Sequence, residues 1–145
     1  MAENETTSAT GTLSLLGALL HRGKLAEARL DAALDAVGTS VPKWQALKHL
    51  VEAGGSLSLG QLAERQSCVK SNVTQLVDRL ETEGLVRRVP DSVDRRSIVA
   101  QISEEGRRRY HAGRQAMTEV EESFVGSFTP AERQELARLL AREAQ

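Results

Sequence analysis

Short polar side chains lie close together along residues 69–83 and could make specific hydrogen bonds to a nucleic acid. If the segment is helical, with about 100° between successive residues, one side presents Ser71, Gln75, Asp78 and Thr82, flanked by Asn72, Thr74 and Arg79. Hydroxyls and amides carry donors and acceptors on short or planar groups, which suits them to base edges and phosphates in a major groove. We therefore expect a DNA contact set of Lys70, Ser71, Asn72, Thr74, Gln75 and Arg79.

A basic group follows this segment and could reach the groove beside it. Residues 85–89 and 97–102 are β-branched and alternating, as strands are, and the turn-rich stretch between them contains Asp94, Arg95 and Arg96. A narrow minor groove attracts guanidinium groups. A hairpin that presents two arginines would therefore suit the minor groove next to a helix in the major groove.

The elements that must position these groups are two helices and the hairpin. Ser58 and Gln61 form the signature of a capping box at the start of a short helix that runs to Arg65. After a connector at residues 66–68, a second helix has apolar residues at Val69, Val73, Leu76, Val77 and Leu80 and ends at Gly84. Two helices joined by a short turn and followed by a basic hairpin predict a winged helix-turn-helix.

Five stretches resemble, in order, the signature of the MarR family of dimeric bacterial transcription regulators: Leu62-Ala63, residues 73–81, Gly84-Leu85-Val86, Asp94-Arg95-Arg96 and residues 102–106. The resemblance implies that Arg96 enters the minor groove and that Asp94 holds it by a charge-assisted bond, and we expect Arg95 to reach a backbone phosphate. A homodimer would place two recognition helices about one helical turn apart on double-stranded DNA, so the operator should be pseudo-palindromic.

The resemblance also implies how such a protein is regulated. We expect a repressor that a small-molecule effector releases from DNA. A ligand between the dimerisation helices and the DNA-binding lobe would change the spacing of the recognition helices, and a difference in affinity for two spacings is enough to switch the protein.

The whole chain reads as one mainly α-helical domain, with about six helices and a β-hairpin wing. Residues 1–11 are polar, and we expect a disordered tail there. Residues 12–145 form the single MarR-like domain in this prediction. Within it, residues 12–37 and 103–145 are the dimerisation helices and residues 42–102 are the winged-helix lobe.

Charge and composition narrow the classes of function. Residues 65–114 carry 11 Lys and Arg against 7 Asp and Glu, although the whole chain has a net charge of −1, so the basic footprint that phosphate binding requires is local. No apolar run approaches the ~20 residues that span a bilayer, and the N-terminus lacks a secretory pattern, so we expect a cytoplasmic protein without a membrane partner. Catalytic and metal-binding motifs are missing, which predicts no enzyme, no metal and no cofactor.

Two other functions are open from the sequence. Cys68, the only cysteine, falls near the start of the second helix, where a thiol can become reactive and serve a redox-sensing regulator. The plainer interpretation is a small, half-buried turn residue. A winged helix can also be a protein–protein interaction module, in which case its binding to DNA would show no salt dependence.

A further hypothesis concerns the site of the effector. His21 and Arg22 lie midway along the first helix, and Trp44 opens the next one. A guanidinium can bind a carboxylate through two hydrogen bonds, and an indole can form the wall of an apolar pocket. A small, anionic, aromatic ligand is therefore expected there. The alternative is that Arg22 faces solvent and Trp44 is a core anchor.

Overall fold

The computed structural model describes residues 7–67 and 70–142, with side chains described for residues 14–67 and 72–142. Within these ranges the chain forms six helices and three strands. In chain order they are α1 (Thr7–Ala36), α2 (Val41–Glu52), β1 (Ser56–Ser58), α3 (Leu59–Arg65), α4 (Lys70–Thr82), β2 (Val86–Pro90), β3 (Ile98–Ile102), α5 (Glu104–Val125) and α6 (Pro130–Leu140). The predicted mainly α-helical winged helix-turn-helix is confirmed.

The first helix is longer than the sequence predicts. It begins at Thr7, so the disordered tail expected over residues 1–11 is wrong for residues 7–11. No proline interrupts this stretch, and Gly11 lowers helix stability by only ~1 kcal/mol, so the helix can propagate upstream from its leucine-rich part. Residues 1–6 lie outside the described part of the chain.

Two capping boxes fix helix starts where the sequence predicts them. The Gln61 N–H donates to Ser58 Oγ at 3.1 Å, and the Ser58 N–H donates to Gln61 Oε1 at 3.0 Å. Thr129 and Glu132 form the same reciprocal pair at the start of α6. Each box satisfies two backbone amides that a helix start otherwise leaves unpaired.

One apolar cluster forms the core of the winged-helix lobe. Its buried members are Ala46, Leu47, Leu50, Leu57, Leu62, Ala63, Val73, Val77, Leu80, Leu85, Val86, Ala100 and Ile102. The predicted stripe of α4 supplies three of them, while Leu76 is partly buried at the edge. Fully burying a Leu or Val side chain is worth ~1.5–3 kcal/mol, so this cluster fixes which side of α4 faces outward.

The sheet contains one strand more than the predicted hairpin. Its order is β1-β3-β2, and both pairings are antiparallel. Leu57 in β1 lies opposite Ala100 in β3, and Val89 in β2 lies opposite Val99. β1 has only three residues with one buried side chain between two more exposed serines, too short a pattern to predict a strand. The extra pairing joins the start of α3 to the base of the wing.

α5 connects α1 to the lobe by close packing at two glycines. At Gly113, an added Cβ would lie 2.3 Å from Trp44 Cδ1 and 3.3 Å from Leu34 Cδ2. At Gly106, an added Cβ would lie 2.1 Å from the Leu85 carbonyl oxygen. Only a residue without a side chain allows α5 to approach α2 and the start of β2 this closely.

Several large apolar side chains are exposed on the helices outside the lobe. They are Leu15, Leu16, Leu19 and Leu20 on α1, Phe128 just before α6, and Leu139 and Leu140 on α6. Among the described side chains of α1, only Leu34 is fully buried. In the part of the chain that the structure describes, no helix combines the length and apolarity needed to cross a membrane.

Candidate nucleic-acid interface

One face of α4 is polar and exposed. Asn72, Thr74, Gln75, Asp78 and Arg79 are exposed, whereas the intervening Val73, Val77 and Leu80 are buried. The structure thus places four members of the predicted DNA contact set on one face. Lys70 and Ser71 lie in the first turn of α4, and their side chains fall outside the described ones. The Thr82 hydroxyl donates a hydrogen bond to the Asp78 carbonyl oxygen at 2.9 Å, so it does not point outward toward base edges.

The wing consists of β2, β3 and the tip at residues 91–97, and its tip presents two arginines. Arg95 and Arg96 are exposed. Asp94 Oδ1 accepts a hydrogen bond from the Arg96 backbone N–H at 3.1 Å, and Oδ2 accepts one from the Ser97 hydroxyl at 3.2 Å. Short Asp side chains often bond the backbone two residues on in this way.

The predicted role of Asp94 therefore needs correction. We expected its carboxylate to hold the Arg96 guanidinium, but among the described residues no ion pair joins the two side chains. Instead the carboxylate shapes the turn through the Arg96 amide. Asp94 thus positions Arg96 through the backbone and leaves the guanidinium exposed.

Arg88, which the sequence pattern does not single out, joins the wing to α4. Its guanidinium donates to Asp78 Oδ1 at 2.5 Å and to Glu81 Oε2 at 2.6 Å. Its backbone N–H donates to Glu81 Oε1 at 2.9 Å. These hydrogen bonds hold the pKa of Glu81 below its ordinary value. The bond from the Arg88 backbone amide has the larger effect, and the bond from the guanidinium comes next. We call Arg88, Asp78 and Glu81 the Arg88 clamp, because together they fix the wing relative to α4.

Trp44 is a core residue. It is 8% exposed, and its ring stacks on Tyr110 with 5.7 Å between the ring centroids. Its Nε1–H donates to the Tyr110 carbonyl oxygen at 3.1 Å. The indole therefore joins α2 to α5 through its ring and its N–H. This agrees with the alternative interpretation, in which Trp44 is a core anchor.

The structure does not bring His21 and Arg22 to Trp44. Both side chains are exposed on α1. Leu34, which packs near Trp44 at the close approach of α5, comes thirteen residues after His21, or ~20 Å at ~1.5 Å per residue. Within one protomer these three residues form no common pocket. Cys68, the candidate redox residue, lies outside the described residues.

Comparison with known proteins agrees with this geometry. The profile of the MarR family matches residues 37–97, from the end of α1 to the wing tip. The HTH-type transcriptional repressor MdtR of Bacillus subtilis (strain 168) is 35% identical over 94 residues, which are 63% of this chain and 59% of that protein. The matched parts span only 42% and 59% of the first two curated relatives.

Solved structures share the architecture over nearly the whole chain. A MarR family protein from Bacillus stearothermophilus is 26% identical, with 96% of this chain and 94% of that chain covered and a TM-score of 0.73. A mutant MarR from Escherichia coli, solved in complex with operator DNA, is 20% identical, with 89% and 93% covered and a TM-score of 0.70. The fold and the exposed face of α4 define a winged helix-turn-helix protein. With these matches, the chain is similar to the MarR family in sequence over residues 37–97 and in fold over nearly its whole length.

Proposed function

We propose that the protein is a sequence-specific, DNA-binding transcription regulator that works as a homodimer. In this proposal α4 lies in the major groove and the wing tip lies on the adjacent minor groove. The observation that carries it is the exposed polar face of α4, fixed by the Arg88 clamp to a wing with two exposed arginines. A helix in the major groove needs such donors and acceptors, while wing arginines add attraction that does not depend on sequence.

The proposed dimer is supported by the exposed apolar side chains of α1. Leu15, Leu16, Leu19 and Leu20 are between 54% and 63% exposed, and monomeric proteins rarely expose contiguous apolar patches of this kind. A two-fold dimer would cover them and set two copies of α4 against half-sites ~34 Å apart, which makes the operator pseudo-palindromic. Equilibrium sedimentation at micromolar concentration should show a dimer, and a monomer there would contradict this assignment.

For the regulatory effect we propose repression that a small molecule relieves. MdtR is a repressor, as is the homoprotocatechuate degradative operon repressor of Escherichia coli, which is 29% identical over 101 residues. Activation is the alternative, because the transcriptional activatory protein BadR of Rhodopseudomonas palustris is 34% identical over 77 residues. CouR from Rhodococcus jostii RHA1 shares the fold, with 24% identity and a TM-score of 0.70, and was solved with p-coumaroyl-CoA bound, so this fold can hold a small molecule.

Selection of bound DNA from a random library tests the proposal, and the expected motif is pseudo-palindromic. Gln75→Ala should relax preference at defined base positions, because a good base contact is worth ~1–3 kcal/mol of discrimination. Arg96→Ala should weaken binding to all sequences and reduce the slope of log affinity against log salt by about 1. Arg142→Ala removes an exposed arginine near the C-terminus and should leave binding unchanged.

DNA-binding measurements also separate the alternative functions. Enrichment of no motif, together with binding that salt does not weaken, would contradict specific DNA binding and favour a protein–protein module. Loss of DNA binding on peroxide treatment, prevented by Cys68→Ser, would favour a redox-sensing regulator. If Gln75→Ala weakened all sequences equally, this side chain would be a backbone contact and not a base contact.

A further inference from the structure

A polar cleft lies where the end of α1, the start of α2, the end of α4 and α5 meet. It has a volume of about 520 Å³, and its lining includes Asp35, Thr39, Ser40, Lys43, Glu83 and Arg109. A second recess of about 410 Å³ shares Asp35, Thr39 and Ser40 with it and extends to Asp31. Small-molecule sites have volumes of roughly 300–1,000 Å³, so the cleft is large enough for a metabolite.

The Thr39 hydroxyl is the unexplained group of this cleft. Thr39 is only 7% exposed, and its Oγ1 is the one buried side-chain oxygen or nitrogen in the described part of the chain that has no hydrogen-bond partner. A buried hydroxyl without a partner lowers the stability of the fold. Thr39 lines both recesses, so a molecule held there could supply the missing hydrogen bond.

The basic groups of the cleft are already engaged. Lys43 forms an ion pair with Glu83. The Arg109 guanidinium donates to the Gly38 carbonyl oxygen and, at 3.3 Å, to Glu105. An anionic ligand would have to displace these bonds before it could use either cation, which disfavours an anion here.

Two carboxylates at the edge of the cleft are not engaged. Among the described residues, the carboxylates of Asp31 and Asp35 have no ion pair and no hydrogen bond. They lie one helical turn apart on α1, a spacing that puts their Cβ atoms ~5–6 Å apart. Ser40 is the N-cap residue of α2, but its hydroxyl caps no amide. The charged groups that a ligand can use are therefore the two carboxylates, and the neutral ones are the hydroxyls of Thr39 and Ser40.

We propose that this cleft binds a small organic cation with an ammonium or guanidinium group. The cationic group pairs with Asp35 and Asp31, and a polar hydrogen of the ligand bonds to the Thr39 hydroxyl. Hydrogen bonds to a carboxylate from a charged donor are stronger than neutral ones, and the two carboxylates suit a ligand with two cationic ends. The cleft thus differs in place and in charge from the anion site expected at His21 and Arg22.

The regulatory consequence rests on the proposed function. Glu83 directly follows Thr82, the last residue of α4, and its ion pair with Lys43 borders the cleft. α1 and α5 line the other side of the same cleft through Asp35 and Arg109. A bound cation therefore lies between the dimerisation helices and the end of the helix that reads DNA, and its binding favours one position of the two relative to each other.

Isothermal titration calorimetry on the full chain without DNA tests the site. The probes are agmatine, which has an ammonium and a guanidinium, and putrescine. The charge controls are 1,4-butanediol, an uncharged counterpart of putrescine, and salicylate. We expect saturable agmatine binding that is about tenfold weaker in Asp35→Asn, severalfold weaker in Thr39→Val, and unchanged in Glu121→Gln, which alters an exposed carboxylate of α5 outside the cleft.

Folding of the variants is checked by thermal unfolding. Asp35→Asn should unfold at the same temperature as the native chain, because it alters an exposed side chain without a partner. Thr39→Val should be at least as stable, because it removes a buried hydroxyl without a partner. Absence of saturable binding by both cations, binding of salicylate in their place, or an agmatine affinity that Asp35→Asn leaves unchanged would each overturn the cation site.

A gel-shift experiment with the selected DNA tests the regulatory consequence. Agmatine should change the DNA affinity of the native chain and leave that of Asp35→Asn unchanged. Saturable agmatine binding with the same DNA affinity would overturn this consequence. Because the calorimetry contains no DNA, failure of the protein to bind any DNA counts against the proposed function and leaves the calorimetric result for the site standing.

Discussion

Replacing Gly113 with Ala should damage the joint between α2 and α5. The added Cβ would lie 2.3 Å from Trp44 Cδ1 and 2.7 Å from Trp44 Nε1, whereas ordinary carbon contacts are ~3.5–4.0 Å. The indole cannot simply turn aside, because Nε1 donates to the Tyr110 carbonyl oxygen at 3.1 Å and the ring stacks on Tyr110. The 2.3 Å approach to Cδ1 is more than 1 Å shorter than an ordinary carbon contact. Either the ring or the whole of α5 must therefore move by about 1 Å.

Two contributions lower the free energy of unfolding of this variant, and one raises it. Overpacking of this kind costs ~1–3 kcal/mol. Loss of the indole hydrogen bond adds ~0.5–1.5 kcal/mol. The better helix propensity of Ala returns at most ~1 kcal/mol. We therefore expect the free energy of unfolding to fall by about 1–3 kcal/mol.

Urea unfolding measures this loss directly. Trp44 is the only tryptophan, so its fluorescence reports on the altered joint, while circular dichroism follows the helices. For urea slopes of ~1–3 kcal/mol/M, the midpoint should fall by about 1 M. Protein concentration must be the same for all variants, because the proposed dimer would make the apparent stability depend on it.

Gly60→Ala is the matched control. Gly60 also lies in a helix, and its added Cβ would meet only Ser58 Oγ at 3.9 Å, an ordinary contact. This variant should be as stable as the native chain or slightly more stable. If Gly113→Ala matched Gly60→Ala in midpoint and kept the native emission maximum, the packing of Trp44 against α5 described above would be wrong.

Three other predictions concern the Arg88 clamp and the last helix. Arg88→Gln removes the ion pairs to Asp78 and Glu81, so the wing is no longer fixed to α4. This variant should keep native helicity and bind DNA severalfold more weakly. Unchanged affinity would show that the clamp does not position the wing. The pKa of Glu81 is lowered from about 4.5, so its contribution to stability is complete above that pH and is lost as the pH falls through the lowered pKa. In urea titrations, the stability difference between Arg88→Gln and the native chain should therefore shrink as the pH falls below 4.5, and a constant difference would exclude the link to Glu81. Thr129→Ala removes the N-cap of α6 and should cost ~0.5–2 kcal/mol, whereas Thr129→Ser should cost little; equal losses would mean that the capping bonds to Glu132 are not what matters.

Local signals predicted most of the fold. A capping box needs only a pair of residues three apart, so Ser58 with Gln61 and Thr129 with Glu132 could be found without knowledge of the tertiary structure. The same helical period that buries Val77 also exposes Gln75, so the polar face of α4 could be predicted together with its core face.

Features that depend on distant segments could not be predicted in this way. Trp44 bonds to Tyr110, 66 residues further along the chain, and only the packing of α5 decides whether the indole fills the core or lines a pocket. Side chains alternate along a strand, so Arg87 and Arg88 project from opposite faces of β2. Nothing in the local sequence shows that the face with Arg88 meets α4. The unpartnered hydroxyl of Thr39 depends likewise on how α1, α2 and α5 close around one turn.

The position of the lobe core along the chain has a consequence for the order of events during folding. All buried members of that core fall within residues 46–102, and the last partly buried residue packed on it is Tyr110. Contacts within one short stretch of chain close small loops at low entropic cost, and small helical and mixed domains fold in microseconds to milliseconds. The core of the lobe can therefore form before α1 and α6 have packed. The helices proposed to pair with a second copy then close onto a lobe that is already formed.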